Sequence, residues 1–254
     1  NIGTRACFIL SKSLFSHPSM ELLNISSNPL GEAGARCLFR IIVKSFINCF
    51  VVMKNCTFEK DSNSFDSSNP TSQSPYTLDT SDPYESALLY ELMNLFLVEE
   101  NHLVFETFAV KVCTDSSGGK GKKSYGTEHN VNLIASGGKV VEKSTKKPYD
   151  PPHNAIVRVA VNQHKEKPTV KAVCSQKTLD LMCAIVAAAG SEMDKRNWIQ
   201  LICTDLFFTT DQVDFVINYF EEKMVLISKL SIFENTWKKL LDTENKYDFL
   251  CKHL

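Results

Sequence analysis

A shift of 28 residues lays the start of this chain on the segment that follows it. Ile2 falls on Leu30, Gly3 on Gly31, Leu10 on Leu38, Leu14 on Ile42, Leu23 on Val51, Ile25 on Met53, Asn28 on Cys56 and Leu30 on Phe58. Eight matched positions at one offset argue against a single β–α unit that repeats by accident, and a period of roughly 20–50 residues marks stacked structural units. The chemistry of each unit fits a short strand, a turn and a helix. Leu23 and Ile25 alternate with Asn24 and Ser26, so one pair faces inward and the other outward. Asn28 and Cys56 sit where the chain must turn, and a side chain there can bond backbone groups that the turn leaves unpaired. Residues 4–16 and 33–45 then carry helix-spaced apolar residues, Leu10 and Leu14 in the first and Leu38 and Ile42 in the second.

Written as a pattern, these units are Met20-x-x-Leu23-x-Ile25-x-x-Asn28 and Val51-x-Met53-x-x-Cys56, the latter with a weaker start at Asn48. The pattern resembles the leucine-rich repeat, and the long helix with alternating Asn and Cys resembles the ribonuclease-inhibitor type. The resemblance covers residues 1–58. It implies an α/β leucine-rich-repeat solenoid fragment, with these two units as the last of a longer array. Two such units do not bury their faces alone, since roughly three or more are needed. The array is therefore expected to continue ahead of Asn1, and the chain to be a piece of something longer. Past Phe58 the register fails.

The remainder divides by composition. Residues 59–75 are Ser/Asn-rich, with Pro70 and Pro75, and read as a linker. Residues 76–174 read as an α+β module. Asp82-Pro83-Tyr84-Glu85 is a helix start, and Tyr84, Leu88, Leu92 and Phe96 follow on one face over 83–98. Alternation from Leu103 to Val112 predicts a strand. Ser136-Gly137-Gly138 predicts a hairpin between 131–135 and 139–142, and 155–161 with 169–174 predicts a second one. Residues 175–254 read as a small all-α bundle. Ser191 and Asp242 are N-cap candidates, and Thr209-Thr210-Asp211-Gln212 is a capping box ahead of Val213. The run from Asp205 to Val213, with the later Trp237, Leu240 and Leu241, resembles a helical domain of unknown function found at the ends of multidomain proteins. That likeness brings no activity with it.

Composition narrows the function classes. A net charge of −1 supplies no global field for nucleic acid or anionic membrane. The longest apolar run, 181–189, is far short of a membrane span. Nine cysteines without a C-x-x-C pair favour buried free thiols in a reducing compartment, hence a cytoplasmic protein. Gly118-Gly119-Lys120-Gly121-Lys122-Lys123-Ser124 fails as a phosphate loop because Lys123 intervenes before Ser124. The lysines of 118–147 lack interleaved aromatics and arginine forks, so an ordinary charged surface is favoured over a nucleic-acid patch. The six histidines are scattered, and no metal or cofactor is expected. Asn24-Ile25-Ser26 and Asn55-Cys56-Thr57 match the glycosylation pattern but fall in the repeat units and read as chance.

The informative surface is the outward side of the two repeat strands. The offset stacks Leu22 beside Phe50, Asn24 beside Val52 and Ser26 beside Lys54. The concave face of a solenoid is an extended binding surface, and exposed Leu22, Phe50 and Val52 would anchor a protein partner there. The following module either leaves this patch free or folds back over it. The leading expectation is a non-enzymatic scaffold for another protein of unknown identity. The alternative is a GTPase-activating regulator, because Ran-GTPase activators share this long-helix repeat type. An enzyme with its site in 76–174 is a third class, and no catalytic constellation marks it.

Overall fold

In this computed structural model the described residues are 2–15, 17, 19–44, 50–59, 65–66, 69–97, 103–114, 124–163, 173–222, 227 and 229–253. In chain order the elements are α1 (Thr4–Phe15), β1 (Leu22–Asn24), α2 (Glu32–Lys44), β2 (Phe50–Val52), β3 (Tyr76–Asp79), α3 (Pro83–Leu97), β4 (Leu103–Thr114), β5 (Ser124–Tyr125), β6 (His129–Asn130), β7 (Leu133–Ser136), β8 (Lys139–Glu142), β9 (Ala155–Gln163), α4 (Gln176–Ala188), α5 (Glu192–Cys203), α6 (Thr210–Glu222), α7 (Lys229–Thr236) and α8 (Lys246–His253). Short 3₁₀ turns at Trp237–Lys239 and Thr243–Asn245 separate α7 from α8. The chain forms two compact units, Asn1–Ser62 with Val170–Leu254, and Asn63–Thr169.

In the first unit β1 and β2 pair in parallel, with Leu22 against Phe50, Leu23 against Val51 and Asn24 against Val52. The turn after β1 is closed by Asn28. Its amide nitrogen donates to the carbonyls of Ile25 (2.8 Å) and Ser26 (2.9 Å), and its side-chain oxygen accepts from the Ile2 N–H at 2.7 Å. One unit later the Cys56 thiol faces the same Ile25 carbonyl at 3.4 Å. Gly31 opens α2 with φ +67°, where a Cβ would run into the Thr4 hydroxyl, so both conformation and space call for glycine.

The solenoid expected from the 28-residue offset is corrected by the structure. The architecture is mixed α/β with curled antiparallel sheets. Among the described residues parallel pairing is limited to β1 with β2, each three residues long, and single bridges at Pro29–Thr57 and Phe208–Leu240, while the longest strands, β4 and β9, are antiparallel. Nor do residues 175–254 form a bundle of their own. They share one apolar core with the first two β–α units, in which Leu23, Ile25, Leu30, Leu38 and Met53 are buried together with Leu179, Met182, Trp198, Ile202 and Val213. The physical reason is cover. Two β–α units leave a strand edge and a helix flank open, and here α4 and α5 close them where a solenoid would stack another repeat.

Capping places these helices. Ser191 and Asp194 form a reciprocal capping box on α5. Thr209 and Gln212 do the same on α6, at 3.2 and 3.3 Å. Asp242 caps a different helix from the one its sequence position suggests: its carboxylate accepts from the Thr210 N–H at 2.9 Å, at the start of α6. That contact pins the 3₁₀ region to α6, and Asp242 is held below the ordinary carboxylate range. Burial would raise it, and the bonds from Thr210 and Asn245 outweigh that.

The second unit is built on a sheet ordered β3-β9-β4-β5, with β6 also on β4, and a separate β7–β8 hairpin. β9 is central, paired antiparallel to β3 and to β4, and its Val157 and Val159 are fully buried. The expected second strand of a hairpin with 155–161, at 169–174, falls mostly on residues 164–172, which lie outside those described. A register irregularity between Phe105 and Thr107 helps the sheet curl. On α3, Asp82 caps Glu85 at 2.9 Å, and Leu88, Leu89, Leu92 and Leu95 are buried.

Candidate functional site

The residues predicted to form a contact surface are brought together by β1 and β2. Leu22 stands beside Phe50 and Asn24 beside Val52 in the strand register. Ser26 lies next to Lys54, whose N–H donates to the Ser26 hydroxyl at 3.0 Å. Backbone bonds carry the pairing past the strands, from Ile25 N–H to the Val52 carbonyl at 3.0 Å and from Ser27 N–H to the Lys54 carbonyl at 2.8 Å.

Each side chain has a distinct circumstance. Leu22 is 60% exposed. Asn24 is exposed and turns its side-chain oxygen onto the Ser26 N–H at 3.1 Å. Ser26 and Val52 are half-buried, and Lys54 is exposed. The Phe50 side chain lies outside what the structure describes. The outward face is thus a small plate: one open leucine and a half-open valine, with an amide and a lysine at its rim. Its backbone is held rigid by the parallel ladder, and by the buried Leu23, Ile25 and Met53 beneath.

Sequence reasoning missed the residues that hold this plate in place. Trp198, fully buried on α5, donates its indole N–H to the Met53 carbonyl at 3.3 Å and stacks edge-on against Phe58, with ring centroids 4.7 Å apart. Arg36 and Arg40 of α2 both reach Asp205, the former through Nε at 3.0 Å and the latter at 2.8 Å. Arg36 is only 4% exposed. Burial would push the Asp205 carboxyl up, yet Arg40 and Arg36 together outweigh that and hold it below the ordinary range. Nothing in the sequence marks Arg36 as buried or names a partner 169 residues away.

The described cysteines are free thiols. Burial pushes Cys7, Cys174, Cys183 and Cys203 up to about 12, with the neighbouring Cys56 adding to the effect at Cys7. Cys49 lies outside the described residues, as does the 118–123 glycine–lysine run. Among the described residues no helix is long and apolar enough to cross a membrane. No protein-family model, curated protein or solved structure matches this chain.

Proposed function

We propose that this protein is a non-enzymatic protein-interaction module that binds another protein through the outward plate of β1 and β2. The observation that carries the reading is Leu22, a large aliphatic side chain 60% exposed on a strand paired along one edge with β2 and seated on the buried Leu23, Ile25 and Met53. A rigid apolar anchor ringed by polar side chains is the usual build of a protein contact centre. Asn24 and Lys54 supply the adaptable rim. The buried thiols agree with work in a reducing compartment, and we place the protein in the cytoplasm.

The test is site-specific photo-crosslinking in cells, with a benzophenone side chain at Asn24 and, as control, at Tyr247, which is 81% exposed on α8. A partner captured from position 24 and absent from position 247 is the expected result. Leu22→Asp together with Lys54→Glu should abolish that capture while the circular dichroism stays native. A folded double variant that keeps every crosslinked partner overturns the reading.

A further inference from the structure

A second surface lies on the first unit, away from the plate. The segment Cys56–Glu59, the start of α2 at Glu32 and one face of α5 enclose a cleft of about 550 Å³. The α5 side is a stripe, Met193, Asn197, Gln200 and Thr204, spaced as neighbours along one helix face. At ~1.5 Å per residue, the eleven steps from Met193 to Thr204 make the wall about 16 Å long. An extended chain advances ~3.3 Å per residue, so a groove of this length suits about five residues of peptide.

Its chemistry is one-sided. Glu32, Glu59 and Asp194 line the cleft, and among the described lining residues none is Lys, Arg or His. Glu59 is exposed, and Glu32 meets Arg36 only at 3.8 Å because that guanidinium is committed to Asp205. The floor is apolar: Phe58 meets Trp198 edge to face, with buried Leu201 beside it, and Met193 is 63% exposed at the lip. Methionine is a side chain that re-packs around varied apolar partners. The opposite wall is extended backbone. Thr57 uses both its N–H and its carbonyl on residues 28–31, so the Phe58 peptide groups face away from that segment.

We propose that this groove holds an extended segment of a partner protein in which an arginine or lysine stands next to an apolar residue. The cation meets Glu32 and Glu59, and the apolar side chain lies between Phe58 and Met193. This surface is separate from the plate, so the inference goes beyond the proposed function.

The test uses three probes on the full chain: the labelled peptide Gly-Ser-Arg-Leu-Arg-Ser-Gly, its Glu-Leu-Glu counterpart, and spermidine. Fluorescence anisotropy reads binding and the Met193 methyl resonance reads location. The arginine peptide should saturate and shift the Met193 methyl, the acidic peptide should do neither, and binding should weaken as salt rises. Glu32→Gln with Glu59→Gln should weaken it about fivefold, the size expected from losing two exposed charge contacts. Leu22→Asp should leave it unchanged, which separates failure here from failure of the plate. No saturation into the millimolar range, equal binding of the acidic peptide or insensitivity to salt overturns the proposal, and so does an equal Met193 shift with spermidine. If the double variant does not fold, the salt series on the wild-type chain decides the charge requirement.

Discussion

The indole N–H of Trp198 donates to the carbonyl of Met53 at 3.3 Å, joining residues 145 positions apart. Met53 follows β2 directly and is the counterpart of Ile25, whose carbonyl accepts from the Asn28 side chain and faces the Cys56 thiol. At Met53 a helix side chain satisfies the carbonyl instead, and the ring covers the strand end. This contact is one of several, with the shared apolar core and the Arg36 and Arg40 bonds to Asp205, that join the two β–α units and the C-terminal helices in one body.

Trp198→Phe should therefore separate the hydrogen bond from the packing. Leaving the buried Met53 carbonyl unpaired costs about 1–3 kcal/mol, whereas Trp198→Ala adds a large cavity and should cost about 3–5 kcal/mol. Urea denaturation followed by circular dichroism measures both. A Phe variant as stable as the wild type would show that the bond contributes nothing.

Asp205 sets a pH dependence. Its carboxyl is depressed in the folded state by Arg40 and Arg36, so its stabilisation is present above the unfolded value of ~3.9. It is lost as pH falls through the lower folded value. Asp205→Asn strands two largely buried guanidinium groups and should cost about 3 kcal/mol at neutral pH. The gap between wild type and variant should narrow below about pH 4. A constant gap in urea midpoints between pH 7 and pH 3 would contradict this account.

Asn28 and Cys56 occupy equivalent positions, and both face the Ile25 carbonyl. Asn28→Ala removes three backbone bonds at a half-buried turn and should cost about 2 kcal/mol. Asn28→Cys retains a weak donor and should cost less. Thermal melts of the two variants rank them, and the reverse order would break the equivalence.

The thiols offer a chemical check. Cys7, Cys174, Cys183 and Cys203 are buried and pushed up to about 12, whereas Cys251 is exposed. Alkylation at pH 8 mapped by mass spectrometry should label Cys251 within minutes and the other four only as the protein unfolds. Equal labelling of Cys203 in the native state would show the helical core to be open.

Much of the local structure could be read from residues alone. The 28-residue offset placed Leu22 against Phe50 and Asn24 against Val52, because equivalent residues of successive β–α units align when their strands pair. The caps at Ser191 and Thr209 and the hairpin around Gly137 rest on chemistry within three or four residues. The long-range pairings had no such record. β9 lies between β3 and β4, although its nearest strand-like neighbour in sequence was 169–174. Asp205 met Arg36, Asp242 met Thr210 and Trp198 met Met53. The candidate surfaces divide the same way. The plate could be proposed from alternation in a single stretch, whereas the cleft exists only because α5 packs beside residues 56–59.

The amino-acid order alone determined where strands, turns and helix starts fall, because those depend on backbone geometry and neighbours a few positions away. The tertiary structure alone decided what covers the edge of β2. Several apolar faces in this chain could bury that edge, and the choice rests on which of them fits in shape and hydrogen bonding.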